Sequence, residues 1–101
     1  MLEISTKELQ EKLENGENLH VVDVRRDEEV AEGKIPEAVH IELDTIPDRL
    51  DELNKDETHY LVCRSGGRSS RVAEFLEARG YKVVNVSGGM LAWEGKTEAG
   101  K

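Results

Sequence analysis

A chain of 101 residues carrying 22 acidic and 14 basic side chains, for a formal net charge of −8, has room for one hydrophobic core. It lacks the basic face that neutralising a phosphate backbone requires, so nucleic acid is excluded as a bulk partner. One cysteine cannot form an internal disulfide framework, and no apolar run approaches the ~20 residues that span a bilayer, so no membrane partner is expected.

The opening MLEISTKELQ has neither a basic start nor an apolar segment of the secretory kind, and a cytoplasmic protein with a reduced thiol is expected. Residues 2–4 read as a short first strand. Ser5-Thr6-Lys7-Glu8 fits a capping box, after which Leu9 and Leu13 share one helical face until Gly16 stops the helix near Asn15. Residues 19–24 are nearly continuous in apolar character, the pattern of a strand buried on both faces. Asp27 is placed to cap a short helix through Ala31, closed by Gly33, and Ile35-Pro36 leads into a third strand over residues 38–41.

Asp44 or Thr45 is placed to cap a further helix, with Ile46, Leu50 and Leu53 facing inward and Pro47 in its first turn. Residues 59–62 form a fourth strand and residues 82–86 a fifth. Ser87-Gly88-Gly89 then turns the chain into a short segment containing Met90, Leu91 and Trp93. Residues 95–101 are polar and are expected to fray as a flexible tail. Strands alternating with short helices predict an α/β fold: one domain over residues 1–101, with a mostly parallel five-stranded sheet and helices on both faces. A monomer is expected. Sites in such sheets lie beyond the C-terminal strand ends, which singles out Cys63 and the segment from Asp23 to Arg25.

The stretch YLVCRSGGRSSRVAEFLEARG, residues 60–80, is the most informative in the chain. An apolar strand enters a tight loop holding the one cysteine and two adjacent glycines. A helical pattern starts at Arg68 or Ser69 and closes at Gly80. Strand, glycine loop and helix together aim backbone N–H groups and the positive end of a helix at one point, here a thiol. A free cysteine with a pKa near 8.5 is only about 3% thiolate at pH 7, and helix N-termini or adjacent cations bring it to ~3.5–7.5. A two-unit drop needs roughly 2.7 kcal/mol of preference for the anion. A helix end supplies ~0.3–1 kcal/mol, leaving the remainder to loop amides and to Arg64, Arg68 and Arg71. A lone cysteine is more often a small buried hydrophobe, but two glycines and two arginines within five residues reverse those odds. Three arginines on an acidic chain also suggest a small anionic ligand.

Four blocks, VVDVR (21–25), GKIPEAVHIEL (33–43), CRSGGRS (63–69) and SGGMLAW (87–93), make the chain resemble single-domain rhodaneses, the thiosulfate-type sulfurtransferases, over essentially its full length. Lys34 stands where that family commonly has histidine and Glu37 where it commonly has glycine. The resemblance implies a central parallel sheet and a catalytic cysteine, Cys63, that carries a sulfane sulfur as a persulfide. The N–H groups of residues 64–69 would ring that sulfur, with Gly66 and Gly67 allowing the curvature. Arg64 and Arg68 become candidates to bind a small anionic sulfur donor such as thiosulfate. Ser65 and Ser69 become hydroxyl donors to the site, with helix capping as the alternative for Ser69. Asp23 and Arg25 form a supporting pair near the pocket. Trp93 holds the family's position but is read as packing.

His20, His40 and His59 lack metal-ligand spacing and are read as structural, and neither cofactor nor metal is called for. Cysteine phosphatases and arsenate reductases are the weaker alternative. They place five residues between cysteine and arginine, whereas four separate Cys63 from Arg68. A carrier that moves persulfide sulfur between proteins remains open, because a chain without a resolving thiol hands its sulfur to an outside acceptor, a small molecule, a thiol or a protein.

Overall fold

The computed structural model describes residues 1–100. Strands β1 (Leu2–Ser5), β2 (His20–Asp23), β3 (Ala38–His40), β4 (Thr58–Val62) and β5 (Lys82–Ser87) form one sheet in the order β1-β5-β4-β2-β3. Every neighbouring pair is parallel. Helices α1 (Thr6–Glu14), α2 (Asp27–Glu32), α3 (Gly67–Glu77) and α4 (Gly89–Ala92) complete the expected α/β architecture. β4 is the central strand, so the loop that follows Val62 emerges from the middle of the sheet.

The strand period of two divides the core. Val22 and Leu61 point to one face, where they pack with Val72, Ala73 and Leu76 of α3. Val21 and Val62 point to the other, where Leu9 of α1 covers them together with Ile35 and Val86. The capping box that starts α1 is present. Ser5 Oγ accepts from Glu8 N at 3.1 Å, and Glu8 Oε1 accepts from Ser5 N at 3.3 Å.

One expectation is corrected. The helix proposed after Asp44 is instead a pair of 3-10 turns, Leu43–Asp48 and Leu50–Glu52. Pro47 sits inside the first of these. It has no N–H to give to an α-type bond and it disfavours the α conformation at Ile46, so the chain winds more tightly. Ile46 and Leu53 are buried as expected. Near the C-terminus, Glu98 meets the exit of α2: Lys34 N donates to Glu98 O at 2.8 Å and Glu98 N to Lys34 O at 2.9 Å. Backbone pairing of this kind leaves no mark in a polar sequence.

The end of β2 is held by the fully buried Asp23 and the nearly buried Arg25. Arg25 Nε and Nη2 donate to the Asp23 carboxylate at 3.0 and 2.8 Å. Nη2 also donates to Gly33 O at 2.7 Å, and His40 Nε2 donates to Arg25 O at 2.6 Å. One ion pair thus ties β2 to the exit of α2 and to β3. Removing one partner of such a pair leaves an uncompensated buried charge, so Arg25→Ala is expected to cost about 3–5 kcal/mol in urea unfolding. A loss below about 1 kcal/mol would show the pair to be dispensable.

Candidate active site

Cys63 directly follows β4 and is 0% exposed, with Val22, Val24 and Leu61 among its apolar neighbours in the α3-side core. Its sulfur is nevertheless hydrogen-bonded. Gly66 N donates to Sγ at 2.9 Å, and Ser69 Oγ lies 3.3 Å from it. Burial pushes the thiol up, while the Ser69 hydroxyl and the amides of Ser69, Gly66 and Ser65 pull it down, and the net displacement is downward. Gly66 reaches this position with φ +102, and a Cβ there would stand 3.3 Å from Gly88 N.

What turns the loop amides inward is visible on the loop's outer side. Met90 N donates to Cys63 O at 2.8 Å and Leu91 N donates to Arg64 O at 2.9 Å. The first turn of α4 therefore draws two loop carbonyls away from the sulfur. This close approach needs Gly89, at φ +55, because a Cβ there would overlap the Cys63 carbonyl and come within 2.6 Å of Arg64 O.

α3 starts at Gly67, one or two residues earlier than the periodicity suggests, with Gly66 as its cap. Ser69 accordingly lies in the first turn, fully buried, with its hydroxyl folded back toward Cys63, and does not cap the helix. The arginine island divides. Arg64 is exposed, as are Ser65 and Gly67. Arg68 donates from Nη1 and Nη2 to the two carboxylate oxygens of Glu29 on α2, both at 2.8 Å. Arg71 lies along Leu43, Pro47 and Phe75, toward the 3-10 turns. The Arg68 pairing holds the Glu29 carboxyl down at about 2, against an opposing push from its partial burial. Arg68 also interacts electrostatically with Cys63 and Asp23, while Asp23 and Arg25 bond to each other.

Sequence reasoning missed three residues here. Glu29 looked like one more helix-surface acid, and its partner lies 39 positions away. Asn85 is 2% exposed and touches Ser69, and the available signal was an amide interrupting the apolar run Val83-Val84-Asn85-Val86. Gly89 was read only as part of a turn. His59 lies apart from the loop, donating to Asn54 O at 2.9 Å, and His20 pairs with Glu57.

The loop that holds Cys63 thus leaves the C-terminal end of the central strand of a parallel sheet in an α/β domain. The chain belongs to the rhodanese-like domain family, whose model matches residues 5–96. It is 54% identical over 96 residues to YtwF of Bacillus subtilis, a protein provisionally named a sulfurtransferase, covering 95% of this chain and 93% of that one. It is 41% identical to YrkF of the same organism, provisionally named a sulfur carrier protein, covering 95% of this chain and 52% of that longer one. The crystal structure of a rhodanese-like domain protein from Staphylococcus aureus superposes with a TM-score of 0.94 at 49% identity, with all of both chains covered. Among the described residues no helix is long and apolar enough to cross a membrane.

Gly89→Ala is expected to cost about 2–3 kcal/mol, from the left-handed backbone and the carbonyl overlap together. It should also raise the pH midpoint of Cys63 alkylation by iodoacetamide, because the loop amides lose their inward set. A variant with wild-type stability and midpoint would show that α4 does not shape the loop.

Proposed function

We propose that this chain is a sulfurtransferase that works through a persulfide on Cys63. The Cys63 thiolate attacks the outer sulfur of an anionic donor such as thiosulfate. The new bond is Cys63 Sγ to sulfane sulfur, the sulfur–sulfonate bond breaks with its electron pair, and sulfite leaves. A thiol or cyanide then attacks the outer sulfur and regenerates the thiolate, so the charges balance at each step. The observation that carries this reading is the donation of Gly66 N–H, with the Ser69 hydroxyl alongside, to a sulfur with no solvent exposure. Such donors favour an anion in a site from which water is excluded. Residues 64–69 supply the ring of amides, and Asp23 with Arg25 supports the neighbouring strand end.

A second reading, transfer of sulfur between proteins, is favoured by one specific feature. Arg68, a candidate for binding a small anion, has its guanidinium engaged by Glu29, and Arg64 is left as the exposed cation of the loop. The name given to YrkF is compatible with this role.

Intact mass after incubation with thiosulfate is expected to show one added sulfur atom, mapped to Cys63 and absent in Cys63→Ser. Loading that persists in the serine variant would remove Cys63 as the carrier. A thiosulfate–cyanide assay on two further variants separates the two readings. If Arg68 binds the donor, Arg68→Ala raises the thiosulfate KM several-fold and Glu29→Gln, by freeing the guanidinium, lowers it. If both variants change only the melting temperature, Arg68 is a structural residue, and rapid exchange with persulfidated proteins becomes the activity to measure.

A further inference from the structure

The hydroxyl of Ser69 has one hydrogen and three acceptors around it: Cys63 Sγ at 3.3 Å, Gly66 O at 3.3 Å and Asn85 Oδ1 at 2.5 Å. The orientation of the Asn85 amide follows from its other contacts. Its nitrogen faces two acceptors, the Glu3 carboxylate at 3.0 Å and Gly66 O at 3.3 Å. Reversing the amide would set its oxygen against both, so Oδ1 is the atom turned to Ser69. Ser69 and Asn85 are 0% and 2% exposed, which leaves neither group open to solvent as a substitute partner.

From this geometry we infer that Asn85 is a positioning residue for Cys63, acting by competing with the sulfur for the Ser69 hydrogen. With Cys63 as a neutral thiol, the chain closes: Sγ–H donates to Ser69 Oγ, and Ser69 O–H donates to Asn85. When Cys63 gives its proton to solvent, the thiolate is an acceptor only, and the Ser69 hydrogen must rotate from Asn85 to the sulfur. Asn85 Oδ1 is then buried without that donor, which costs free energy. Asn85 therefore favours the resting thiol and restrains its ionisation. A persulfide anion draws on the same hydrogen. The inference rests on Cys63 being the reactive group, and it deepens that reading by naming what restrains it.

Other charges lie around the site. Arg68 of α3, paired with Glu29 of α2, interacts electrostatically with Cys63, and Asp23 with Arg25 closes the end of β2. Glu3 of β1, exposed and in register with Asn85, is connected through the Asn85 amide. These groups are common to all variants in the test, so differences between backgrounds report on the hydrogen alone.

Iodoacetamide alkylation as a function of pH is the readout, applied to the wild type, Asn85→Leu, Ser69→Ala and the double variant. Asn85→Leu should lower the Cys63 midpoint by about one pH unit, because the hydroxyl is released to the sulfur. Ser69→Ala should raise the midpoint, and adding Asn85→Leu to it should change nothing further. Gly66 O keeps its bond from Ser70 N at 3.2 Å in each variant, so the loop retains that anchor. An unchanged or raised midpoint in Asn85→Leu overturns the inference, as does an equal drop in both backgrounds. Asn85→Ala is read the same way if the leucine variant fails to fold, and failure of both to fold would assign Asn85 to stability alone and overturn the inference. Alkylation does not require sulfur transfer, so absence of thiosulfate loading in the wild type would count against the sulfurtransferase reading and leave this result standing.

Discussion

Two backbone hydrogen bonds, from Met90 and Leu91 of α4 to the carbonyls of Cys63 and Arg64, decide which way the site faces. In a trans peptide the C=O and the following N–H point in opposite directions. Drawing the carbonyls of residues 63 and 64 toward α4 therefore turns the amides of residues 64 and 65 away from α4. Ser65 N–H is among the groups that favour the Cys63 anion. A segment 27 positions along the chain thus sets the electrostatics of the loop, and it does so with no side chain. The close contact is possible only because position 89 is glycine.

The thiol itself sits at a balance. Full burial opposes its ionisation, and this is the largest influence on it. The Ser69 hydroxyl and three amides act the other way and together outweigh burial. Each of these donors is held from elsewhere: Gly66 by its positive φ against Val86 and Gly88, and Ser69 by its place in the first turn of α3. A surface cysteine would not need this arrangement, since water solvates a thiolate well. Here the backbone takes over the task of water.

Much of this was readable from the sequence because the relevant residues are neighbours in it. Cysteine, two glycines and a helix-period pattern within twenty positions determine the loop and helix, and the apolar runs locate all five strands to within one residue at each end. What escaped was long-range or backbone-borne. Glu29 meets Arg68 only because the parallel sheet brings α2 beside the start of α3, and nothing in the local pattern of DEEVAE separates the third acid from its neighbours. Asn85 did leave a trace, since an amide inside a buried, valine-rich strand must find partners. The tight turns after Glu42 were misread because the spacing of Ile46, Leu50 and Leu53 was weighed above Pro47, whose missing N–H had the greater effect.

The source of the anion's stabilisation matters more in this chain than in a neutral one. A net charge of −8 opposes the approach of any small anion and the creation of a thiolate. A guanidinium could offset this, but Arg68 is joined to Glu29, about a third exposed, and the pair as a unit carries no net charge. Solvent screens what remains of its field. The Gly66 amide and the Ser69 hydroxyl, by contrast, lie within 2.9 and 3.3 Å of a sulfur that is itself buried. The Gly66 dipole, held by the backbone at that range, keeps its strength whatever the charge of the surrounding surface. The acidic exterior, the exposed Glu37 included, is then free to vary without disturbing the thiol.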